Sequence, residues 1–141
     1  TQISIAELFT DLKKLFPEEE FQFEVPSPEL KLNVDRTQIE QILINLLKNA
    51  REACSRKSDK KIQVKVKRLS AGNTTLTISD NGEGILPDVL DKIFVPFFTT
   101  KTSGSGIGLS LCKQIMTLHE GSINVKSEVG KGSSFILTFP K

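Results

Sequence analysis

The chain is poor in the residues that usually mark metal, redox or membrane chemistry. Its 141 residues include no tryptophan, no tyrosine, one histidine, one methionine and two cysteines. Cys54 and Cys112 fall in different predicted helices without a nearby cysteine or histidine, so neither a disulfide framework nor a zinc site is supported. We expect both to be reduced thiols in the core. Nine phenylalanines and 38% hydrophobic residues suffice for one core, so residues 1–141 are predicted to form a single domain.

Neither positive nor negative charge dominates the chain, and no long hydrophobic run is present. The 19 basic and 17 acidic residues leave a net charge of +2, without the basic stripe that a nucleic-acid surface requires. The longest nearly apolar run, residues 42–47, is interrupted by Asn45 and is far shorter than the ~20 residues of a membrane-spanning helix. We therefore expect no nucleic-acid partner and no membrane contact by this domain, and we interpret the chain as a fragment of a longer protein.

Hydrophobic periodicity divides the chain into helices and short strands. Helical spacing predicts a first helix that ends before Pro17, a short helix over 87–92, and a helix after Gly106 with Gly121 as its left-handed C-terminal cap. Alternation predicts strands within 21–25, 30–34, 62–66, 76–79, 122–126 and 134–139, with turns near residues 71–73 and 130–132.

The longest predicted helix begins after Asp35, a good N-cap residue. One face of this helix carries a continuous apolar stripe, which predicts a buried position. The apolar positions are Ile39, Ile42, Leu43, Leu46, Leu47, Ala50 and Ala53. Asn45, Asn49 and Glu52 fall in a narrow arc beside this stripe, where a helix edge would meet a cavity.

A predicted strand delivers Asp80 into the glycine-containing segment 80–84, Asp-Asn-Gly-Glu-Gly. A carboxylate can accept a hydrogen bond from the exocyclic amine of adenine, and glycines permit a close, flat approach. Taken alone, the same segment is more typical of an ordinary tight turn.

Three further glycines, at positions 104, 106 and 108, lead into the last predicted helix. Backbone amides at such a helix start can bind phosphate oxygens. Their spacing differs from the dinucleotide fingerprint, and the Gly-Lys-Ser/Thr of a P-loop is absent. Lys101 lies in the polar segment Thr99–Gly106, which we expect to be mobile. It would either neutralise a terminal phosphate or remain solvated, and the sequence does not separate these alternatives.

Together and in this order, these segments resemble the ATP-binding domain shared by sensor histidine kinases, DNA gyrase, heat-shock chaperone ATPases and mismatch-repair ATPases, the GHKL superfamily. Residues 35–50 resemble its N box, 80–84 its first glycine box and 104–109 its second. Residues 94–98, Phe-Val-Pro-Phe-Phe, resemble the F box peculiar to histidine kinases. The resemblance covers roughly residues 30 to 139. It implies the Bergerat-type fold, an α/β two-layer sandwich with a mixed, mostly antiparallel sheet of about five strands and about three helices on one face.

The resemblance also implies roles for individual residues. Asp80 would bind adenine, Asn49 would hold Mg²⁺, and Asn45 would support the phosphates or the metal. The catalytic set is predicted to be Asn45, Asn49 and Lys101. The nucleotide-binding set is predicted to be Asn49, Glu52, Asp80, Gly82, Gly84, Ile85, Phe94, Phe97, Thr100, Lys101, Gly104, Ser105, Gly106, Ile107, Gly108, Leu109 and Ser134. Many histidine kinases carry a basic and an aromatic residue where Glu52 and Ala53 stand here, which leaves the phosphate contacts open.

The function implied is transfer of the γ-phosphoryl group of Mg-ATP to a histidine in two-component signalling. Gyrases and chaperones carry a water-activating glutamate where this chain has Asn45, and the F box also favours a kinase. His119, followed by Glu120, lies on the apolar face of its predicted helix, so we interpret it as a packed imidazole and not as the phosphoacceptor. The acceptor would lie in a separate dimerisation domain of a homodimeric, cytoplasmic or membrane-anchored parent, with a response-regulator receiver domain as the next partner. An anti-sigma-factor-type serine kinase and a non-catalytic nucleotide-binding regulatory module remain alternatives.

Overall fold

The computed structural model describes residues 1–96 and 108–141. The helices are α1 (Ile5–Leu15), α2 (Arg36–Ala53), α3 (Pro87–Leu90) and α4 (Gly108–Leu118). The strands are β1 (Gln2–Ser4), β2 (Phe21–Phe23), β3 (Lys31–Asn33), β4 (Ile62–Arg68), β5 (Thr74–Asp80), β6 (Ser122–Glu128) and β7 (Gly132–Phe139).

Five strands form one mixed sheet in the order β2-β4-β5-β7-β6. β2 pairs with β4 in parallel, and the remaining neighbours are antiparallel. Alternate residues of β5, such as Leu76 and Ile78, are fully or almost fully buried, because they face the layer formed by α1, α2 and α4. The predicted two-layer α/β sandwich with a mixed five-stranded sheet is confirmed.

A second, two-stranded sheet pairs β1 with β3 in antiparallel fashion. The strand predicted within residues 30–34 is thus present, but it lies outside the main sheet. The three residues of β1 were not predicted as a strand, because they directly precede α1 and their partner is about thirty residues away in the chain.

α2 carries the predicted core stripe. Its N-cap Asp35 accepts a hydrogen bond from the backbone N–H of Gln38 at 3.1 Å. Six of the seven predicted apolar positions are buried, and Ala53 is half-buried at the last turn. The polar edge beside this stripe carries Asn45, Asn49 and Glu52.

The end of α4 corrects one prediction. The residue with left-handed backbone is Glu120, at φ 59°, and not Gly121. The N–H of Glu120 donates to the carbonyl of Thr117 at 3.0 Å, and the N–H of Gly121 donates to that of Met116 at 2.9 Å, which together form a Schellman motif. Gly121 is required for a different reason, since a Cβ there would overlap the carbonyl oxygen of Thr138 on β7.

His119 lies at the same helix end, as the sequence predicts. Its Nδ1 bonds the carbonyl of Ile115 at 2.9 Å, and its Nε2 accepts the backbone N–H of Asp35 at 3.1 Å. These contacts define the neutral tautomer protonated at Nδ1. The imidazole therefore connects the end of α4 to the start of α2.

Candidate functional site

A partly buried carboxylate marks the end of β5. Asp80 pairs with Ser133 of β7, and its side chain lies on the helix-covered face of the sheet. The backbone N–H of Gly82 donates to Asp80 Oδ1 at 2.9 Å, and that of the paired residue Ser133 lies near the carboxylate. Burial raises the pKa of Asp80, while these two N–H groups partly offset the rise. The result is an oriented acceptor that is still ready to take a further donor.

The glycine-containing segment 81–85, here called the glycine loop, is held from two sides by neighbouring backbone. Asn81 Oδ1 accepts the N–H of Lys61 at 2.9 Å, and Asn81 Nδ2 donates to the carbonyl of Asp59 at 2.7 Å. The N–H of Glu83 donates to the carbonyl of Ala53, at the end of α2, at 3.2 Å. These bonds fix the loop against α2 and against the segment that precedes β4.

The two glycines of this loop are explained by backbone packing. A Cβ on Gly82 would overlap the carbonyl of Ala53, and a Cβ on Gly84 would overlap that of Glu128. Gly84 also has a positive φ of 79°, which other residues adopt only at a cost. The structure thus gives these glycines a role in positioning Asp80, in addition to the close approach of a ligand that the sequence suggests.

The polar edge of α2 faces the beginning of α4. Asn45 is half-buried, and its Oδ1 accepts a hydrogen bond from Gln41 at 3.1 Å. Its Nδ2 donates to the carbonyl of Gly108, the first residue of α4, at 3.5 Å. Asn49 lies half-buried one turn further along α2, and Glu52 lies exposed near the helix end. The predicted N-box edge and the end of the second glycine box are therefore adjacent.

The two cysteines lie beneath this region. Cys54 and Cys112 are free and buried, as predicted. Burial raises the pKa of Cys112 to about 11, so its thiol stays protonated near neutral pH. The amide of Asn45 lies 3.9 Å from the sulfur of Cys112, which connects the polar edge of α2 to the core side of α4.

The start of the predicted F box lies beside α4. The Lys113 ammonium lies 5.8 Å from the centre of the half-buried Phe94 ring. A groove of about 520 Å³ runs between this segment and the helix, lined by Phe94, Pro96, Ser110, Lys113, Gln114, Thr117 and Leu118. Gly108, Leu109 and Ile85 are half-buried. Leu109 and Ile85 also pack against the hydrophobic core.

Several predicted site residues fall outside the described ranges. These are Phe97, Thr100, Lys101, Gly104, Ser105, Gly106 and Ile107, and the predicted lid Thr99–Gly106 falls there as well.

The prediction of Ser134 as a nucleotide contact conflicts with its placement. Ser134 pairs with Ser79, and their hydroxyls are 2.8 Å apart on the sheet face away from the helices. Ser133 is the buried residue on the Asp80 side, because successive side chains of a strand point to opposite faces. The alternation of buried Phe135, Leu137 and Phe139 in the same strand carries the signal that identifies Ser133.

Two kinds of feature are absent from the part of the chain that the structure describes. Within residues 1–96 and 108–141, no three His, Cys, Asp or Glu side chains are grouped so that they could bind a metal ion. None of the helices in this part of the chain combines the length and hydropathy needed to cross a membrane.

The structure combines a two-layer sandwich with an oriented carboxylate at the end of its central strand. Glycines lie behind this carboxylate, and the asparagine-bearing edge of α2 lies beside it. These features are those of an ATP-binding domain of the GHKL class. The family described as "Histidine kinase-, DNA gyrase B-, and HSP90-like ATPase" matches residues 34–141. The chain belongs to this family, and within it to the catalytic domains of sensor histidine kinases.

Relatives of known sequence agree with this assignment. The signal transduction histidine-protein kinase AtoS of Escherichia coli K12 is 42% identical over 109 residues, which cover 77% of this chain and 18% of AtoS. The sensor histidine kinase ZraS of Salmonella typhimurium LT2 is 39% identical over 110 residues, which cover 78% of this chain and 23% of ZraS. The chain thus spans about a fifth of the length of these curated relatives.

Solved structures give the same fold. The nucleotide-free catalytic domain of histidine kinase ThkA superposes with a TM-score of 0.86 at 35% identity, covering 100% of this chain and 95% of that one. ThkA in complex with response regulator protein TrrA superposes with a TM-score of 0.79 at 31% identity, covering 100% of this chain and 41% of that one.

Proposed function

We propose that this domain binds Mg-ATP and transfers the γ-phosphoryl group to a histidine on a separate phosphoacceptor domain. The observation that carries the proposal is the geometry of Asp80. The backbone N–H of Gly82 orients its carboxylate, which leaves acceptor capacity for the exocyclic amine of adenine. Burial strengthens such a hydrogen bond because water competes less for it.

Asn49 is proposed to hold the magnesium ion. Mg²⁺ takes one or two protein oxygens and completes its octahedral shell with phosphate and water oxygens, so the amide oxygen of one half-buried asparagine fits it. When bound, the ion neutralises charge on the phosphates. We expect Asn49→Ala to reduce the magnesium-dependent part of ATP affinity, while activity that survives this change at ordinary magnesium would contradict the assignment.

Phosphoryl transfer to a protein side chain is favoured over hydrolysis by the chemistry at Asn45. An amide cannot accept a proton from water, so this position provides no general base. Its hydrogen bonds to Gln41 and Gly108 instead support the edge that faces the start of α4. Phosphoryl transfer depends mainly on positioning and charge neutralisation, which a site without a base can supply.

The remaining predicted contacts belong to this proposal as well. Backbone N–H groups at the start of α4 would bind phosphate oxygens. Lys101 and the rest of the predicted lid, residues 99–106, would close over the phosphates. Asp80, Gly82, Gly84, Ile85 and Leu109 would surround the base, with Ser133 in place of Ser134.

The wider context is proposed from the relatives. We infer that residues 1–141 act as one catalytic domain of a larger, homodimeric sensor kinase, located in or facing the cytoplasm. The phosphoacceptor domain of the same protein would receive the phosphoryl group, and a response-regulator receiver domain would receive it next. The complex of ThkA with TrrA supports a partner of the second kind.

The test is the chemistry of the phosphorylated product. The longer protein that contains this domain is incubated with γ-labelled ATP and magnesium, and the labelled protein is then exposed to acid and to alkali. Label that is lost in acid and kept in alkali identifies phosphohistidine, as the proposal requires. Acid-stable label would point to a serine kinase, and ATP binding without any label would point to a regulatory module; either result contradicts the proposal.

A further inference from the structure

The glycine loop is also attached to the hairpin formed by β6 and β7. The hydroxyl of one residue, Ser127, lies at the centre of this attachment. The backbone N–H of Ile85 donates to Ser127 Oγ at 2.7 Å. Ser127 donates in turn to the carbonyl of Gly132 at 3.1 Å, and its oxygen lies 2.8 Å from the hydroxyl of Ser133. One side chain thus connects the end of the glycine loop to the two hairpin residues that lie beside Asp80.

The Gly132 carbonyl can only accept, so one assignment of donors and acceptors satisfies all three contacts of this hydroxyl. Ser127 has one O–H, which it gives to the Gly132 carbonyl, and its two lone pairs accept from Ile85 N–H and from the Ser133 hydroxyl. No capacity is left for a ligand. Ser127 can therefore affect a nucleotide only through the residues that it holds.

The surfaces that this hydroxyl joins are backbone packed on backbone. Gly130 N–H donates to the carbonyl of Glu83 at 2.9 Å. A Cβ on Gly84 would overlap the carbonyl of Glu128, and a Cβ on Gly132 would overlap that of Asp80. Because these contacts are backbone against backbone, a change in the spacing of loop and hairpin is transmitted to the backbone at Asp80.

We propose that Ser127 is a positioning residue, which fixes the glycine loop against the β6–β7 hairpin and so aims the Asp80 carboxylate at the exocyclic amine of adenine. This inference rests on the proposed function, because it assumes that Asp80 reads the base. Ser133 completes the connection, since its hydroxyl meets that of Ser127 and its backbone pairs with Asp80 in the sheet.

The test compares the binding of ATP with that of purine riboside triphosphate, which lacks the exocyclic amine. This comparison separates an effect on the orientation of the Asp80 carboxylate from an effect on the stability of the fold. The 141-residue chain is titrated with each nucleotide in magnesium, and the ratio of the two dissociation constants measures what the amine contributes. A hydrogen bond to a charged acceptor predicts a wild-type ratio of about 10 to 100. Ser127→Ala is expected to lower the ratio at least about fivefold, mainly by weakening ATP, and Ser127→Thr is expected to restore it.

Two further variants protect the result from misfolding. Ser127→Cys keeps the shape of the side chain with a weak donor and acceptor, and it should lower the ratio in the same direction as alanine. Ile123→Val weakens the packing of the same strand without touching the hydroxyl, and it should leave the ratio unchanged.

The outcomes distinguish the two proposals. A wild-type ratio near 1 would mean that Asp80 does not read adenine, which overturns the proposed role of the pocket together with the aiming role of Ser127. A large wild-type ratio that persists in Ser127→Ala and Ser127→Cys would leave the pocket intact and overturn the role of Ser127 alone. A ratio that falls equally in Ile123→Val would show that Ser127 acts only through stability and would also overturn it.

Discussion

At the residue scale, Asp80 carries a partly buried carboxylate, which lowers the stability of the free fold. Desolvation disfavours its charged form, and the N–H groups of Gly82 and Ser133 offset this only in part. A carboxylate kept in such a place is suited to a ligand that brings a donor. The free domain therefore carries an electrostatic cost that a neutral side chain of the same shape would not have.

We predict that Asp80→Asn leaves the domain at least as stable as the wild type at pH 7. The raised pKa of Asp80 means that the folded state binds more protons than the unfolded chain between the ordinary value of 3.8 and the folded value. The contribution of Asp80 to the free energy of unfolding is thus present below pH 3.8 and is lost as pH rises through the folded pKa.

Urea unfolding of both proteins across this pH range measures the effect, because the other carboxylates cancel in the difference. The wild type should lose stability relative to Asp80→Asn as pH rises. A difference that is constant with pH, or that changes in the opposite direction, would contradict the account.

At the element scale, the left-handed backbone and the close packing at the end of α4 belong to two different residues. Glu120 occupies the left-handed position at φ 59°, while Gly121 allows α4 and β7 to approach closely. Glu120→Gly should therefore stabilise the domain by about 0.5–1 kcal/mol, since it removes left-handed strain at some entropic cost. Gly121→Ala should destabilise it by about 1–3 kcal/mol, since the new methyl group has no space. Chemical denaturation measures both, and the reverse order of effects would mean that Gly121 is the left-handed cap after all.

The imidazole that joins α4 to α2 gives a second prediction for this helix end. His119→Ala removes the bonds to Ile115 and to the N–H of Asp35, and it should lower the free energy of unfolding by about 1–2 kcal/mol. Exposed Thr117, two residues earlier, supplies the control Thr117→Ala, for which a much smaller change is expected.

Because His119 is fully used in these contacts, phosphate incorporation into the longer protein should survive its replacement. Loss of label in a variant that is still folded would identify His119 as the acceptor.

At the scale of the whole molecule, local patterns predicted most elements and their inner faces. The stripe of α2 and the alternation within β5 and β7 follow from periods of 3.6 and 2, which are properties of the sequence alone. The position of Asp80 after a strand could be predicted for the same reason. The motifs also predicted one pocket formed by the polar edge of α2 and the glycine segments, of which the structure describes residues 80–84 and 108–109.

Features that depend on contacts between residues distant in sequence were either not predicted or assigned to a neighbouring residue. The pairing of β1 with β3 and the parallel pairing of β2 with β4 join segments separated by other elements, and local periodicity carries no such information. Ser134 was predicted in place of Ser133 because a motif identifies a region, whereas the register against β5 decides which side chain faces the pocket. The role of Ser127 depends on a contact 42 residues away along the chain, with Ile85.

The role of Asp80 in ATP binding is tested by calorimetric titration of the 141-residue chain with ATP in magnesium, for the wild type, Asp80→Asn and the exposed control Asp88→Asn. We expect one binding site in the wild type and in the control. ATP affinity should fall about 10- to 100-fold or more in Asp80→Asn, because a hydrogen bond to an oriented carboxylate is removed. ATP affinity that is unchanged in Asp80→Asn would contradict the assignment of this pocket.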